Sequence, residues 1–199
     1  MAFPMPAFAD EVRDRQWHRG FLHVAEAYQI SQGEGALVAV EDSGVDASAP
    51  ELAGAVVPGK DLGGGRKDTN GHGTAVAGLI AGRGKSANRG IAPKAKILPV
   101  QVAEYLDFGV YPKDLAAGID FAVSRGANVI SIWLKTSDSK LVRTAIQHPL
   151  DADAVVVGAA GNKPQAGGVV FPANMPVSSP SAPSTRTATA RPSPSPAAK

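Results

Sequence analysis

Four short apolar runs alternate with segments of helical period along this chain, and this alternation constrains its fold more than any other feature. The runs are rich in Val, Ile, Leu and Ala and span residues 36–42, 95–102, 127–134 and 154–160. Such nearly continuous apolar runs predict strands that are buried on both faces. Strands that alternate with helices are joined by right-handed crossovers into a parallel sheet. The sequence therefore predicts an α/β fold in which a parallel sheet is flanked by helices.

The clearest helical segment covers residues 112–125. Its apolar residues recur at helical spacing, Pro112 suits a first turn, and Gly126 suits the position just after a helix. A second helix is predicted over residues 139–148, closed by Pro149. A third is expected to begin near residue 72, in a stretch of small residues.

The composition excludes several classes of function. The chain has 199 residues, enough for one domain, with 20 Lys and Arg against 18 Asp and Glu. Three of the basic residues lie among the last fourteen, so the rest is near neutral and offers no basic face for nucleic acid. The chain has no Cys, which excludes a thiol nucleophile and any Cys-ligated metal centre. The longest nearly apolar stretch, residues 74–82, is too short to span a bilayer.

Both ends of the chain differ from its body. Residues 176–199 contain six Pro, six Ser and five Ala, with Val177 as the one large aliphatic side chain. Such a segment cannot bury enough apolar surface to offset its ordering entropy, so we expect a disordered Pro/Ser-rich tail. Residues 1–15 are either the remnant of an export signal or an ordinary N-terminal segment, since Ala-Phe-Ala before Asp10 resembles a cleavage site without the rest of a signal. The folded domain is predicted over residues 16–175.

Two motifs follow predicted strands, where chemistry gathers in parallel sheets, and a third lies at the start of a predicted helix. Asp42 begins Asp-Ser-Gly, His72 lies in Gly-His-Gly-Thr-Ala-Val-Ala-Gly, and Asn162 ends Gly-Ala-Ala-Gly-Asn. Each motif alone has a structural explanation, because the first and third are turn signals and a histidine between glycines can start a helix. Each also has a chemical one: Asp42 can be a catalytic acid at the end of a strand, His72 can serve as a base, and the Asn162 amide can donate to an oxyanion.

Together the motifs resemble those of the subtilisin-like serine proteases, which carry Asp-[Ser/Thr]-Gly, His-Gly-Thr-x-Val-Ala-Gly and Ala-Gly-Asn in this order. The resemblance covers about residues 16–173 and includes Gly-Ile-Ala-Pro at 90–93 and Phe-Pro-Ala at 171–173. Residues 10–27 are similar to the opening of the mycosins, which are secreted actinobacterial subtilases. The resemblance implies a subtilisin-like fold, hydrolysis of peptide bonds in a polypeptide substrate, and secretion.

The resemblance also assigns roles to single residues. Asp42 would orient His72, His72 would take the proton from a serine hydroxyl, and Asn162 would stabilise the oxyanion. The substrate would lie against residues at the ends of two strands: Ser131, Trp133, Leu134, Ala160 and Gly161. In the family the first of these edges reads Ser-Leu-Gly, so we expect Trp133 and Lys135 to crowd an extended peptide there.

The nucleophilic serine of the family is missing from this sequence. Family members carry it in Gly-Thr-Ser-x-Ala-x-Pro, roughly 65 residues after the oxyanion Asn. Here 37 residues follow Asn162, and none of their six serines follows Gly-Thr. We therefore expect a partial catalytic domain with an incomplete fold that is inactive as it stands. The segment after Ala173 would be either the product of a shifted reading frame or a Pro-rich stalk.

Two further expectations concern charge and metals. Glu41 stands where the family strand has an aliphatic residue, so it places a second carboxylate in a position that is costly to charge. Subtilases often hold structural calcium, and Asp61, Asp68 and Asp107 lie in candidate loops, but their spacing forms no recognisable site. No cofactor and no metal-ligand set are predicted.

A non-catalytic reading stays open beside the protease. The chain could be a pseudoprotease whose groove binds peptides or a partner protein. A Gly-Thr-Ser-x-Ala-x-Pro motif in another reading frame just downstream would favour the protease.

Overall fold

A single parallel sheet forms the centre of the molecule. The computed structural model describes residues 15–63, 68–85, 88–103, 109–160, 169–175 and 188–190. The strands are β1 (Leu37–Asp42), β2 (Lys60–Asp61), β3 (Lys96–Gln101), β4 (Val129–Ile132), β5 (Val155–Ala159) and β6 (Ala188–Ala190). Their order in the sheet is β2-β3-β1-β4-β5-β6, and all neighbours are parallel. The predicted parallel sheet is confirmed, with β1 at its centre.

Helices cover both faces of this sheet. They are α1 (Trp17–Phe21), α2 (Val24–Ala27), α3 (His72–Ala81), α4 (Pro112–Ser124) and α5 (Lys140–Asp151), with one 3₁₀ turn (Pro50–Leu52). One apolar cluster joins α4 and α5 to the sheet, and a second joins α3 to β1 and β3 on the opposite face. In the part of the chain that the structure describes, no helix is both long and apolar enough to cross a bilayer.

The apolar face of α4 explains why this helix forms where the sequence predicts it. Leu115, Ile119 and Ala122 are buried at helical spacing, and Pro112 occupies the first turn. Gly126 adopts φ 72° just after the helix, a conformation that glycine reaches without steric cost. The helix therefore ends as expected.

Helix α5 continues three residues beyond the predicted end. The sequence predicts that Pro149 closes the helix after residue 148, but the helix runs through Pro149 to Asp151. A proline in the last turn removes one backbone hydrogen bond, to the carbonyl four residues earlier. Pro149 and Leu150 are both buried, and Leu150 packs in the apolar cluster that joins α5 to the sheet, which offsets the lost hydrogen bond.

The short strand β6 lies inside the Pro/Ser-rich segment. It pairs with β5 from Val157 opposite Ala188 to Ala159 opposite Ala190. The structure thus differs from the predicted disorder of residues 176–199 at these three positions. The reason is that the outer edge of β5 presents unpaired N–H and C=O groups, which an extended segment can satisfy. The rest of that segment lies outside the described residues, as do residues 1–14.

Candidate active site

Asp42 is the last residue of the central strand, and its carboxylate is fully buried. Alternation along β1 places Val38, Val40 and Asp42 on the face covered by α3. The side chain of Asp42 has no exposed surface. Its Oδ1 accepts a hydrogen bond from the backbone N–H of Ser43 at 2.7 Å. The strand end therefore holds a desolvated carboxylate in a fixed orientation.

His72 opens α3 directly above this carboxylate. Its Nδ1 lies 2.7 Å from Oδ1 and 2.9 Å from Oδ2 of Asp42, and 38% of its side chain is exposed. Gly71 precedes it with φ 82°, which turns the chain into the helix. A carboxylate at this distance accepts a hydrogen bond from the N–H at Nδ1, so the ring proton stays on Nδ1 and the lone pair is on Nε2. The pair can therefore act as an oriented base at the rim of the sheet.

Gly73 allows the helix to approach the strand this closely. A Cβ atom at this position would lie 2.0 Å from the carbonyl oxygen of Gly44 and 3.0 Å from Cβ of Asp42. Both neighbours belong to β1 or the turn after it, so no flexible side chain can move aside. Glycine at position 73 is thus a condition for the contact between His72 and Asp42.

A second carboxylate, Asp68, is tied to the same two segments. It accepts hydrogen bonds from Ser43, Gly71 and Thr74. Burial by itself raises the pKa of Asp68, but the hydrogen bonds from Thr74, Ser43 and Gly71 outweigh burial and lower the pKa below its usual value. Asp68 was considered in the sequence only as a calcium ligand, because hydrogen bonding between loops leaves no signature in residue spacing.

Trp133 directly follows the last residue of β4 and lies on the same sheet face as Asp42. Ser131 lies opposite Val40 in the register, and Trp133 follows it two residues later. The indole N–H of Trp133 donates to Oγ of Ser131 at 2.7 Å, and 37% of Trp133 is exposed. The backbone beyond it is also engaged, since the carbonyl of Lys135 accepts a hydrogen bond from the N–H of Val110 at 3.2 Å. The edge that was predicted to face a peptide is therefore partly occupied by the chain itself.

The other predicted substrate residues differ from Trp133 in their position and exposure. Leu134 is 6% exposed and packs in the apolar cluster with α4 and α5, so its side chain faces away from Asp42. Ala160 directly follows β5 and is half-buried. Gly161 and Asn162 lie outside the described residues, so their predicted roles stay predictions.

Glu41 lies on the opposite face from Asp42 and is fully buried. Within the described part of the chain, neither of its carboxylate oxygens has a hydrogen-bond partner. A Cβ atom on Gly118 of α4 would lie 3.0 Å from Oε2 of Glu41 and about as close to Val100 and Val102. Burial, and then the negative charge of Asp120, raise the pKa of Glu41 well above its usual value. The expected cost of charging this position is confirmed by its surroundings.

Two of the three candidate calcium ligands, Asp61 and Asp68, lie in the described part of the chain. Both oxygens of Asp68 are taken by protein donors, so this residue does not fit a cation site. Asp61 accepts a hydrogen bond from Gly63 at 3.0 Å, and Asp107 lies outside the described residues. Among the residues that can be described, no group of three or more His, Cys, Asp or Glu side chains could hold a metal ion.

Comparison with known proteins places this chain in a family. The model of the subtilase family, peptidase S8, matches residues 33–189. Thermitase of Thermoactinomyces vulgaris is 36% identical over 154 residues, which cover 74% of the chain and 55% of thermitase. Mycosin-3 of Mycobacterium tuberculosis is 35% identical and is covered over 37% of its length. The chain thus spans about half or less of these relatives.

Solved structures give the same result. The prenylagaramide maturation protease PagA superposes with a TM-score of 0.68 at 28% identity, over 77% of the chain and 56% of PagA. MycP1 without its N-terminal propeptide superposes with a TM-score of 0.62 at 31% identity, over 75% of the chain and 50% of MycP1. The family model, the relatives and the solved structures agree, and the chain belongs to the subtilase family of serine proteases.

Proposed function

We propose that this chain carries the aspartate and histidine of the catalytic site of a subtilisin-like serine endopeptidase. The observation that supports the proposal best is the contact between His72 and the buried carboxylate of Asp42, at 2.7 Å. Burial removes water that would compete for Asp42, so its interaction with the ring is stronger than in solution.

The roles follow from the geometry of this pair. Asp42 holds the proton of His72 on Nδ1 and stabilises the imidazolium that forms during the reaction. Nε2 takes the proton of a serine hydroxyl as the hydroxyl oxygen attacks the peptide carbonyl, and then passes that proton to the leaving amine. Asn162 would donate to the oxygen that becomes negatively charged.

The serine is the part of this machinery that the sequence does not supply. None of the serines after Asn162 stands in a Gly-Thr-Ser context. The proposal is therefore that the chain alone does not hydrolyse peptides and that its Asp-His pair needs a serine-bearing segment to do so.

Secretion is a further part of the proposal that rests on resemblance. The relatives include a minor extracellular protease and a major intracellular serine protease, both of Bacillus subtilis, at 29% and 35% identity. We therefore base the proposal of secretion on the similarity of residues 10–27 to the mycosins and not on membership of the family.

A chimera tests the assignment as an endopeptidase. Residues 1–160 of this chain are joined to the part of thermitase that follows its corresponding strand, and cleavage of casein is measured. We expect His72-dependent hydrolysis, with a loss in kcat on the order of a millionfold in H72A. H148A is the matched control, because His148 forms a similar contact with Asp120, at 2.6 Å, on the exposed surface of α5 and α4. This control should keep full activity.

The same chimera separates the protease from the pseudoprotease. A parallel version carries W133S and K135G, which remove the crowding expected at the edge of β4. If both chimeras fold, as judged by circular dichroism, and neither hydrolyses casein, the endopeptidase proposal fails and the partner-binding alternative is favoured.

A further inference from the structure

The carboxylate of Asp68 accepts hydrogen bonds from both of the segments that carry Asp42 and His72. Its Oδ1 accepts from Oγ of Ser43 and from the N–H of Gly71, both at 2.8 Å. Its Oδ2 accepts from the N–H of Thr74 at 2.8 Å and from Oγ1 of Thr74 at 2.5 Å. Four donors on two oxygens use the full accepting capacity of an ionised carboxylate.

These donors lie within two residues of Asp42 or His72 along the chain. Ser43 follows Asp42, Gly71 precedes His72, and Thr74 lies in the first turn of α3. Oγ of Ser43 also accepts a hydrogen bond from the N–H of Gly73 at 3.1 Å. Asp68 and Ser43 together therefore join the end of β1 to the start of α3.

The backbone needs such a connection because it is rich in glycine at this point. Gly44 and Gly71 adopt positive φ angles, and Gly73 has no side chain that could pack against β1. Glycine has the greatest backbone freedom of all residues, so these positions permit the close approach without fixing it. Hydrogen bonds to a charged acceptor are strong enough to select one arrangement.

We propose that Asp68 is a positioning residue that holds the His72 ring in register with the Asp42 carboxylate. It acts through Ser43, Gly71 and Thr74. The inference rests on the proposed function, because Asp68 would position two residues that are proposed to be catalytic.

Proton NMR of the full chain tests this inference. A proton on Nδ1 of His72 that bonds to a buried carboxylate gives a resonance at low field, which H72A identifies and H148A does not remove. In D68A we expect this resonance to disappear by exchange with water. In D68N we expect it to persist, because the amide oxygen still accepts from one pair of donors. D138A is the matched control: Asp138 accepts hydrogen bonds from Arg143 on the surface, and its loss should leave the resonance intact.

The outcomes distinguish the inference from the proposed function. If the wild type has no low-field resonance that depends on His72, the Asp-His pair itself and the proposed function fail. If D68A folds and its His72 proton exchanges with water at the wild-type rate, Asp68 has only a structural role. The inference then fails, while the proposed function stands. If D68A does not fold, S43A and T74V each remove a hydroxyl that bonds to Asp68. Each should then speed exchange of the proton at least about tenfold, as a lost hydrogen bond to a charged group predicts. Unchanged exchange in both variants would overturn the inference.

Discussion

Replacement of Glu41 by leucine is expected to raise the free energy of unfolding by about 2 to 4 kcal/mol at pH 8. The native carboxyl group is fully buried beside Gly118, Val100 and Val102, and within the described residues it has no hydrogen-bond partner. An apolar side chain of similar size removes the cost of burying an unpaired polar group. Urea denaturation of E41L and the wild type measures the difference directly.

The pH dependence of stability gives a sharper form of the same prediction. The folded-state pKa of Glu41 lies well above 4.5, so the folded protein binds more protons than the unfolded chain above that pH. The contribution of Glu41 is therefore fully present below about pH 4.5 and is lost as pH rises through the folded pKa. The loss approaches at most about 1.4 kcal/mol per pH unit.

Glu41→Gln is the matched control for this titration. It keeps the shape and an unpaired polar group but cannot ionise. The stability difference between E41Q and the wild type should therefore grow with pH, while E41L should also gain stability at low pH. A difference that is independent of pH, or a loss of stability in E41L, would contradict the burial of an unpartnered carboxyl group at this position.

Replacement of Gly73 by alanine is expected to destabilise the protein by about 3 kcal/mol, the upper end of the usual range for overpacking. It should also separate His72 from Asp42. The added Cβ atom would overlap the carbonyl oxygen of Gly44 at 2.0 Å, and this backbone atom can move only if the turn after β1 moves. Thermal unfolding measures the stability, and the low-field proton of His72 reports on the contact.

Gly78→Ala in the same helix is the control for this substitution. Its Cβ atom would meet only the Asn88 side-chain amide at 3.0 Å and Glu51 at 3.9 Å. Because alanine favours a helix over glycine by about 1 kcal/mol, this variant should be neutral or slightly stabilised. Equal effects of G73A and G78A would show that the close approach to Gly44 does not govern the site.

Local patterns were sufficient to predict the central sheet and the long helices. The apolar runs gave β1, β3, β4 and β5, and the spacing of Leu115, Ile119 and Ala122 gave the buried face of α4. These features depend on burial, which residue periodicity reports directly. The predicted end of α5 was wrong because the burial of Pro149 and Leu150 in the folded protein is not visible in a local pattern.

The site was predictable to the extent that its residues stand in recognisable motifs. Asp42 and His72 were identified in this way, and the structure brings them into contact. The role of Asp68 was missed because its partners come from two loops that meet only after folding. Leu134 was placed in the cleft by resemblance, whereas alternation along β4 turns its side chain into the core.

We propose that this chain holds the Asp-His pair without a serine nucleophile, and labelling with a serine-directed fluorophosphonate tests this proposal. The purified chain is treated with the probe, digested and mapped by mass spectrometry. We expect no adduct on any serine, because no serine of the chain follows Gly-Thr. An adduct on one of the six serines after Asn162 that disappears in H72A would contradict this proposal.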